Sequence, residues 1–376
     1  MHVGLDGRIA DYTAGGIAQY TRQLAAWLPR LASADRFTLF RARRQRAPWT
    51  PPATVRQRRL LTPPHHRWEQ ALLPLELAPE RLDLLHGPDF TVPTRRRCPA
   101  IVTVHDLAFL RYPEIQTADS RRHYGQVARV VQHVERVIAD SACTAADVEA
   151  LLGVPPARIR VVHLAPTPAP PAGPAEVAAV RARYELPGLF LLYVGTLEPR
   201  KNLGTLLRAF ARLGPAEPAR LVLAGPRGWL DEPIMAAAER LGERVRLLGP
   251  VPAADLPALY AAATAFVYPS LYEGFGLPPL EAMAAGTPVL AAKASCLPEV
   301  LGDAALFVHP EDEAGLAEAL RAVLADAALR ADLRARGLAR AATFSWERTT
   351  AATLAVYREA LGQPPGVEGA PPGVAR

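Results

Sequence analysis

The stretch Glu273-Gly-Phe-Gly-Leu-Pro-Pro-Leu-Glu281, between the strand-like segments Thr264–Tyr268 and Thr287–Ala291, decides the fold. A strand, a glycine-bearing turn, a helix start and a second strand make one unit of a parallel α/β sheet. Pro278 and Pro279 suit a helix's first turn, where a missing N–H costs nothing. Glu273 then falls in the turn and Glu281 about one turn inside the helix. Helix side chains lean toward the N-terminus, so Glu281 reaches toward the opening that holds Glu273. The amides of Gly274, Phe275, Gly276 and Leu277 lie around the helix start, where free N–H groups bind anions and glycine permits close approach. Carboxylates that accept hydroxyl protons, beside amides that meet phosphate oxygens, suit a sugar nucleotide.

The same alternation runs outward in both directions. In the first half His2–Arg8, Leu82–His86, Ala100–His105, Arg136–Ala139 and Arg158–Leu164 read as strands, and Ile17–Leu31 has helical spacing. Five prolines and a glycine in Ala165–Pro174 predict a stiff linker. A second alternating half begins at Leu189–Val194 and includes Arg220–Ala224 and Val245–Leu248. Two doubly wound domains so joined would bind a ligand in a cleft at the carboxyl ends of their strands. The helix Trp346–Leu361 follows, and the Pro/Gly-rich 362–376 is expected to be disordered.

Composition narrows the class. At 376 residues and 50% apolar, the chain can bury two cores. No apolar run reaches the ~18 residues of a membrane span, and no signal-peptide pattern opens the sequence. Cys98, Cys143 and Cys296 have neither disulfide nor metal-ligand spacing. A cytoplasmic enzyme is expected. The net charge of +6 is uneven: residues 1–165 hold 23 basic against 15 acidic side chains, an excess of eight, and the remainder 20 against 22. Basic residues are densest from Arg41 to Arg67, with Trp49 and Trp68 alongside. Two readings fit: a surface for an anionic membrane or acceptor, which would make the protein peripheral on the inner face of the membrane, and a solvated Pro-rich loop. Nucleic acid is not expected, since no aromatic-interleaved or helical basic motif occurs.

Three further segments carry chemistry. In Gly195-Thr-Leu-Glu-Pro-Arg200-Lys201-Asn202, two adjacent cations follow a strand, where they can stabilise a departing diphosphate. Asp6-Gly7-Arg8 with Gly15-Gly16-Ile17 makes a glycine-bearing loop, either an amide cradle for phosphate or an ordinary helix-start turn. Thr103-Val-His105-Asp106 ends a strand with a histidine that Asp106 could orient, for hydrogen bonding to a sugar or for structure. Ser141 or Thr144 reads as an N-cap, with Asp147 completing a capping box, and Leu297-Pro-Glu299-Val as another helix start. His86 fits a strand-end turn. No Asp-x-Asp ends a strand, so no metal is expected.

The Glu273/Glu281 spacing resembles the Glu-x7-Glu motif of retaining family 4 glycosyltransferases, as do its flanks Ala265-Phe-Val-Tyr-Pro-Ser270 and Met283-Ala-Ala-Gly-Thr-Pro-Val-Leu290. The resemblance runs from Gly16 to Trp346 and is strongest from Tyr193 to Asp303. It implies a GT-B fold: an acceptor-binding Rossmann-like domain over 1–165, completed by a returning helix 346–361, and a nucleotide-sugar-binding domain over 175–345. It implies a polysaccharide-biosynthesis enzyme that moves a hexose from a nucleotide-diphosphate sugar to a glycan or lipid-linked acceptor. Retention would come from a same-face displacement in which the leaving phosphate helps to deprotonate the acceptor. In the implied site, Arg200 and Lys201 clamp the diphosphate and Gly15 and Gly16 lie on it from the other side. His105, with Asp106, stands near the reacting sugar. Glu273 grips sugar hydroxyls, Glu281 the ribose, and Val251 joins Gly274–Leu277 in the donor set. GDP-mannose is the first donor expected, because Tyr193–Leu203 and Ser270–Pro288 look most like mannosyltransferase-type members; UDP- and dTDP-sugars use the same frame. A sugar-nucleotide epimerase of the same architecture and a non-catalytic sugar-nucleotide sensor remain open alternatives.

Overall fold

The computed structural model describes residues 1–13, 15–47, 49–113 and 125–364. The predicted disordered tail therefore lies, from residue 365 on, outside the described residues. The chain divides into two compact units, Met1–Leu164 with Ser345–Arg376, and Ala165–Phe344.

The first unit is built on seven parallel strands: β1 (His2–Asp6), β2 (Arg36–Ala42), β3 (Arg56–Leu60), β4 (Leu84–Gly87), β5 (Ala100–Val104), β6 (Arg136–Ala139) and β7 (Ile159–Val161). Their order is β3-β2-β1-β4-β5-β6-β7. The second has six: β8 (Phe190–Val194), β9 (Arg220–Ala224), β10 (Val245–Gly249), β11 (Ala265–Tyr268), β12 (Val289–Ala292) and β13 (Ala305–Val308), ordered β10-β9-β8-β11-β12-β13. All their pairings are parallel. Central strands such as Ala100-Ile-Val-Thr-Val104 are buried throughout, as continuous apolar runs covered on both faces should be. In each sheet the strand order reverses once, between β1 and β4 and between β8 and β11. Loops that leave such a pair diverge to opposite faces and open a crevice at the strands' carboxyl ends.

Strands β2, β3 and β13 escape the sequence reading. Strand β3, Arg-Gln-Arg-Arg-Leu, is an edge strand with mostly exposed side chains, and its polarity made it look like loop. The linker reading of 165–174 also changes. Pro174 begins the helix Pro174–Arg183, and Thr167 is tied by hydrogen bonds to Glu281 within the second unit.

The helix Trp346–Ala360, capped by the Ser345 hydroxyl on the Arg348 amide, packs on the first unit along the helix Gly16–Leu31 and strands β5 and β6. The Tyr357 hydroxyl lies 2.8 Å from Nδ1 of fully buried His86, whose Nε2 is 3.0 Å from the Thr103 hydroxyl. Burial, and next the charge on His105, depress His86 to about 3, so it is neutral at ordinary pH. It is a core histidine that fastens the C-terminal helix. Tyr357→Phe would strand a buried ring nitrogen, and we expect a loss of ~1–3 kcal/mol in chemical denaturation with the fold retained.

Candidate active site

In the second unit the site grows from the β8/β11 reversal. After β8 the chain passes Gly195 and enters a single 3-10 turn, Pro199–Lys201. Asn202 then takes the left-handed conformation (φ 57°), which Asn tolerates better than most residues, and its amide donates to Pro269 O at 3.2 Å and Pro310 O at 2.8 Å. This pins the turn against the loop after β11, and Leu271 N donates to Arg200 O at 3.0 Å. Gly276, with φ 89°, caps the helix Leu277–Ala284; a side chain there would meet Leu297 at 2.8 Å, so glycine is required. Glu281 is the fifth residue of that helix.

The structure brings Arg200, Lys201 and Glu273 together. Lys201 Nζ lies 2.6 Å from Glu273 Oε1 and 3.1 Å from the Tyr268 hydroxyl. Arg200 Nη1 donates to Tyr272 O at 2.8 Å and to Glu273 Oε2 at 3.3 Å, and Arg200 Nη2 pairs with Glu198 at 2.8 Å. Burial alone would raise the Glu273 carboxyl. Lys201 and Arg200, with the Ser270 hydroxyl assisting, instead hold it at about 2. The two cations are thus fixed before any ligand arrives. The Ser295 hydroxyl accepts from Glu273 N at 3.1 Å and donates to Glu273 O, which fixes the backbone. Sequence reasoning gave the cations to one ligand group and Glu273 to another; here they form one network, with Glu198 as an unanticipated member.

Glu281 has different partners. It accepts from the Thr167 hydroxyl and, at 3.3 Å, from the Tyr260 hydroxyl, and its burial raises its pKa. Gly274, Phe275 and Leu277 line the turn into the Leu277–Ala284 helix, and Val251 is half-buried in the loop after β10.

The first unit carries the remaining residues. Gly15 caps and Gly16 begins the helix Gly16–Leu31, both exposed. A side chain at Gly16 would meet nothing within 4 Å and its φ is not positive, so neither packing nor backbone demands glycine there. An open helix start with no side chain is suited to a ligand's close approach.

His105 follows β5 and Asp140 follows β6. Since Val104 pairs with Ala139, the two side chains stand on adjacent strand ends, with Nδ1 2.6 Å from Asp140 Oδ2. Nε2 lies 2.7 Å from Pro88 O. The expectation that Asp106 orients this ring is therefore corrected. Asp106 accepts instead from Ala108 N at 3.0 Å and turns the chain into the short helix after β5. Burial disfavours charge on His105, but Asp140, by charge and hydrogen bond, and then Asp89 and the Pro88 carbonyl raise it to about 9. With its pKa raised, the ring can donate from both nitrogens, to Asp140 and to the Pro88 carbonyl. The missed residue is Asp140. Its signal was the equal position of two neighbouring strand ends, hidden because Ser141 beside it reads as a helix cap. Ser141 is that cap, accepting from Thr144 N at 3.1 Å, whereas Asp147 meets Arg111 and completes no capping box.

A small cavity opens at the β1/β4 reversal, lined by Asp6, Ile9, Pro64, Gly87, Pro88, Asp89 and Thr91. Asp6 chelates buried Arg8, which also binds Glu69, and His65 lies 3.3 Å from Asp89. Asp6, Asp89 and Thr91 are the polar groups on its wall.

Two doubly wound units, each with charged groups at its strand reversal, define a nucleotide-sugar-handling GT-B architecture. Residues 14–165 match the family described as Glycosyltransferase Family 4, and residues 182–340 that described as Glycosyl transferases group 1. The chain is 38% identical over 315 residues to O-antigen chain mannosyltransferase B of Escherichia coli, covering 82% of this chain and 80% of that one. It is 35% identical over 286 residues to D-inositol 3-phosphate glycosyltransferase of Salinispora arenicola, covering 70% of this chain and 64% of that relative. Among solved structures, sucrose-phosphate synthase of Thermosynechococcus elongatus superposes with a TM-score of 0.75 at 23% identity, covering 96% of this chain and 99% of that one. The chain belongs to the family 4 glycosyltransferases of GT-B fold. It is a glycosyltransferase that uses a nucleotide-sugar donor.

The His105–Asp140 pair makes stability depend on pH. Its folded pKa of about 9 lies above the ordinary 6.5, so its contribution is complete below 6.5 and disappears as pH climbs through 9. Urea midpoints of the wild type should fall across that window, and His105→Gln should remove most of that slope.

Proposed function

We propose that this protein transfers mannose from GDP-mannose, with retention, to a hydroxyl of a glycan or lipid-linked acceptor, and needs no divalent metal. The observation that carries the reading is the network in which Arg200 and Lys201 converge on Glu273 beside the Gly274–Leu277 turn. Its cations answer the charge of a departing diphosphate, and the turn's amides answer its oxygens. Similarity over four-fifths of the chain to a protein named as a mannosyltransferase supports the choice of sugar.

In this reading Lys201 and Arg200 exchange part of their hold on Glu273 for the diphosphate. Glu273 turns to the sugar hydroxyls and Glu281 to the ribose. The acceptor hydroxyl is presented from the first unit, near the small cavity that Asp6 and Asp89 line. The His105 imidazolium steadies the Pro88 carbonyl beside that cavity. The leaving phosphate takes the acceptor proton on the face from which it departs.

Lys201→Ala should lower kcat more than it raises KM, since the charge it answers grows in the transition state. Roughly 30- to 1000-fold is expected, from ~2–4 kcal/mol. Glu273→Gln should lower kcat and also weaken binding of free GDP by calorimetry, because the same carboxylate holds both cations. Unchanged kcat in Lys201→Ala would remove the clamp from the mechanism. Supplying UDP- and dTDP-sugars in parallel tests the donor, and donor isomerisation without acceptor would identify an epimerase.

The metal-free reading rests on the same cations, which supply what a metal ion would otherwise give the leaving group. Activity after EDTA treatment should stay within a few-fold of the untreated rate. Loss with EDTA and recovery with Mg²⁺ or Mn²⁺ would show that a metal carries the step.

A further inference from the structure

The helix Glu69–Leu77 is apolar on both sides. Its inner side is explained: Leu73 is buried in the first unit's core with Leu60, and Leu77 packs against the same cluster. Its outer side is not. Trp68, Leu72 and Leu75 are 55%, 44% and 72% exposed, and Leu61, on the loop after β3, is 66% exposed. Positions 68, 72 and 75 follow the i, i+4, i+7 spacing of a single helix face, a stripe of about 10 Å. Glu76 binds the Leu61 amide at 2.6 Å and the Thr62 amide at 3.0 Å, which fastens the Leu61 loop to this helix.

Charge selects what covers the stripe. Residues 41–81 hold nine arginines and three glutamates, an excess of six that equals the net charge of the whole chain. The three glutamates are all engaged: Glu69 with buried Arg8, Glu80 with Arg56 and Arg58, and Glu76 with the two amides. Arg67 stands beside the stripe, its guanidinium 5.6 Å from the centre of the exposed Trp68 ring. Not every residue of the basic stretch joins this surface. Arg41 is buried on Asp11, and Trp49 is half-buried beneath the Arg41 and Arg22 guanidinium groups. Trp68 is the aromatic that remains outward. A second copy docked symmetrically on this face would bring the two Arg67 charges together, whereas anionic headgroups would neutralise them.

We propose that Trp68, Leu72, Leu75 and Leu61 insert into the headgroup region of an anionic bilayer, with Arg67 on its phosphates. A short helix with apolar residues outward and basic residues alongside binds such surfaces reversibly. The inference is independent of donor identity.

The test is flotation of the full chain with phosphatidylglycerol/phosphatidylcholine vesicles and with pure phosphatidylcholine vesicles. The wild type should float with the anionic vesicles, less so at high salt, and stay behind with the neutral ones. The Leu72→Glu/Leu75→Glu variant should bind roughly tenfold more weakly or worse. Leu75→Gln should weaken binding by a smaller factor. Both variants alter exposed side chains, and each should keep the wild-type thermal midpoint and its rate on a water-soluble acceptor. Three results would overturn the proposal: no wild-type flotation with anionic vesicles, equal flotation of the double variant, or a wild-type dimer in light scattering that the double variant converts to monomer.

Discussion

The Glu273 carboxylate, held between Lys201 and Arg200, is the interaction on which the site of the second unit depends. The sheet makes it possible. Strands β8 and β11 are neighbours although far apart in sequence, so the loops leaving their carboxyl ends meet. Buried charges at such a meeting survive only when paired, and removing one partner from a pair of this kind typically costs ~3–5 kcal/mol. Glu198 completes the arrangement, giving two cations and two carboxylates. A charge-balanced site keeps its cations in place without a ligand. Preorganisation of that sort is what electrostatic catalysis demands, because nothing has to be reoriented when the leaving group charges up.

The first unit shows how neighbouring groups of one type are driven apart. His86, in β4, and His105, just past β5, belong to adjacent strands, yet one is held at about 3 and the other at about 9. His86 is fully buried and His105 half-buried, and burial by itself lowers both. The difference is Asp140, which His105 has and His86 lacks. Once His105 is charged, its proton adds to the penalty on His86. One imidazole becomes a fixed cation near the cavity, and the other a neutral strut for the C-terminal helix.

Much of this was legible in sequence. The apolar runs of the central strands announce themselves, because burial on both faces admits only polar side chains that are paired, such as His86 and Thr103. The edge strand β3 does not, since its Arg56 and Arg58 are paid for by a single glutamate, Glu80, that lies more than twenty residues away. Arg200, Lys201 and Glu273 were legible because handling phosphate and sugar requires particular charged types at strand ends. Their mutual pairing was not, because it depends on which strands are neighbours. Asp140 was hidden for the same reason: its partner is set by register, and locally it only precedes a helix cap. The outward stripe was partly visible in Trp68 and the arginines. It could not be separated from Trp49 until Arg41 was seen to be buried.

The segment read as a linker shows how a site remains intact while unliganded. Glu281, half-buried and raised in pKa, would be costly to leave without hydrogen bonds. Thr167 gives it a hydroxyl, and Tyr260 a second. A ribose in the proposed reading offers the same donor type, so its arrival exchanges one hydroxyl for another at small net cost. Thr167 keeps Glu281 oriented in the helix Leu277–Ala284, and in the proposed reading it would give way to a ligand of matching chemistry. A threonine in a proline-rich segment suits that part, because the neighbouring Pro166 and Pro168 restrict the backbone that aims its hydroxyl at Glu281.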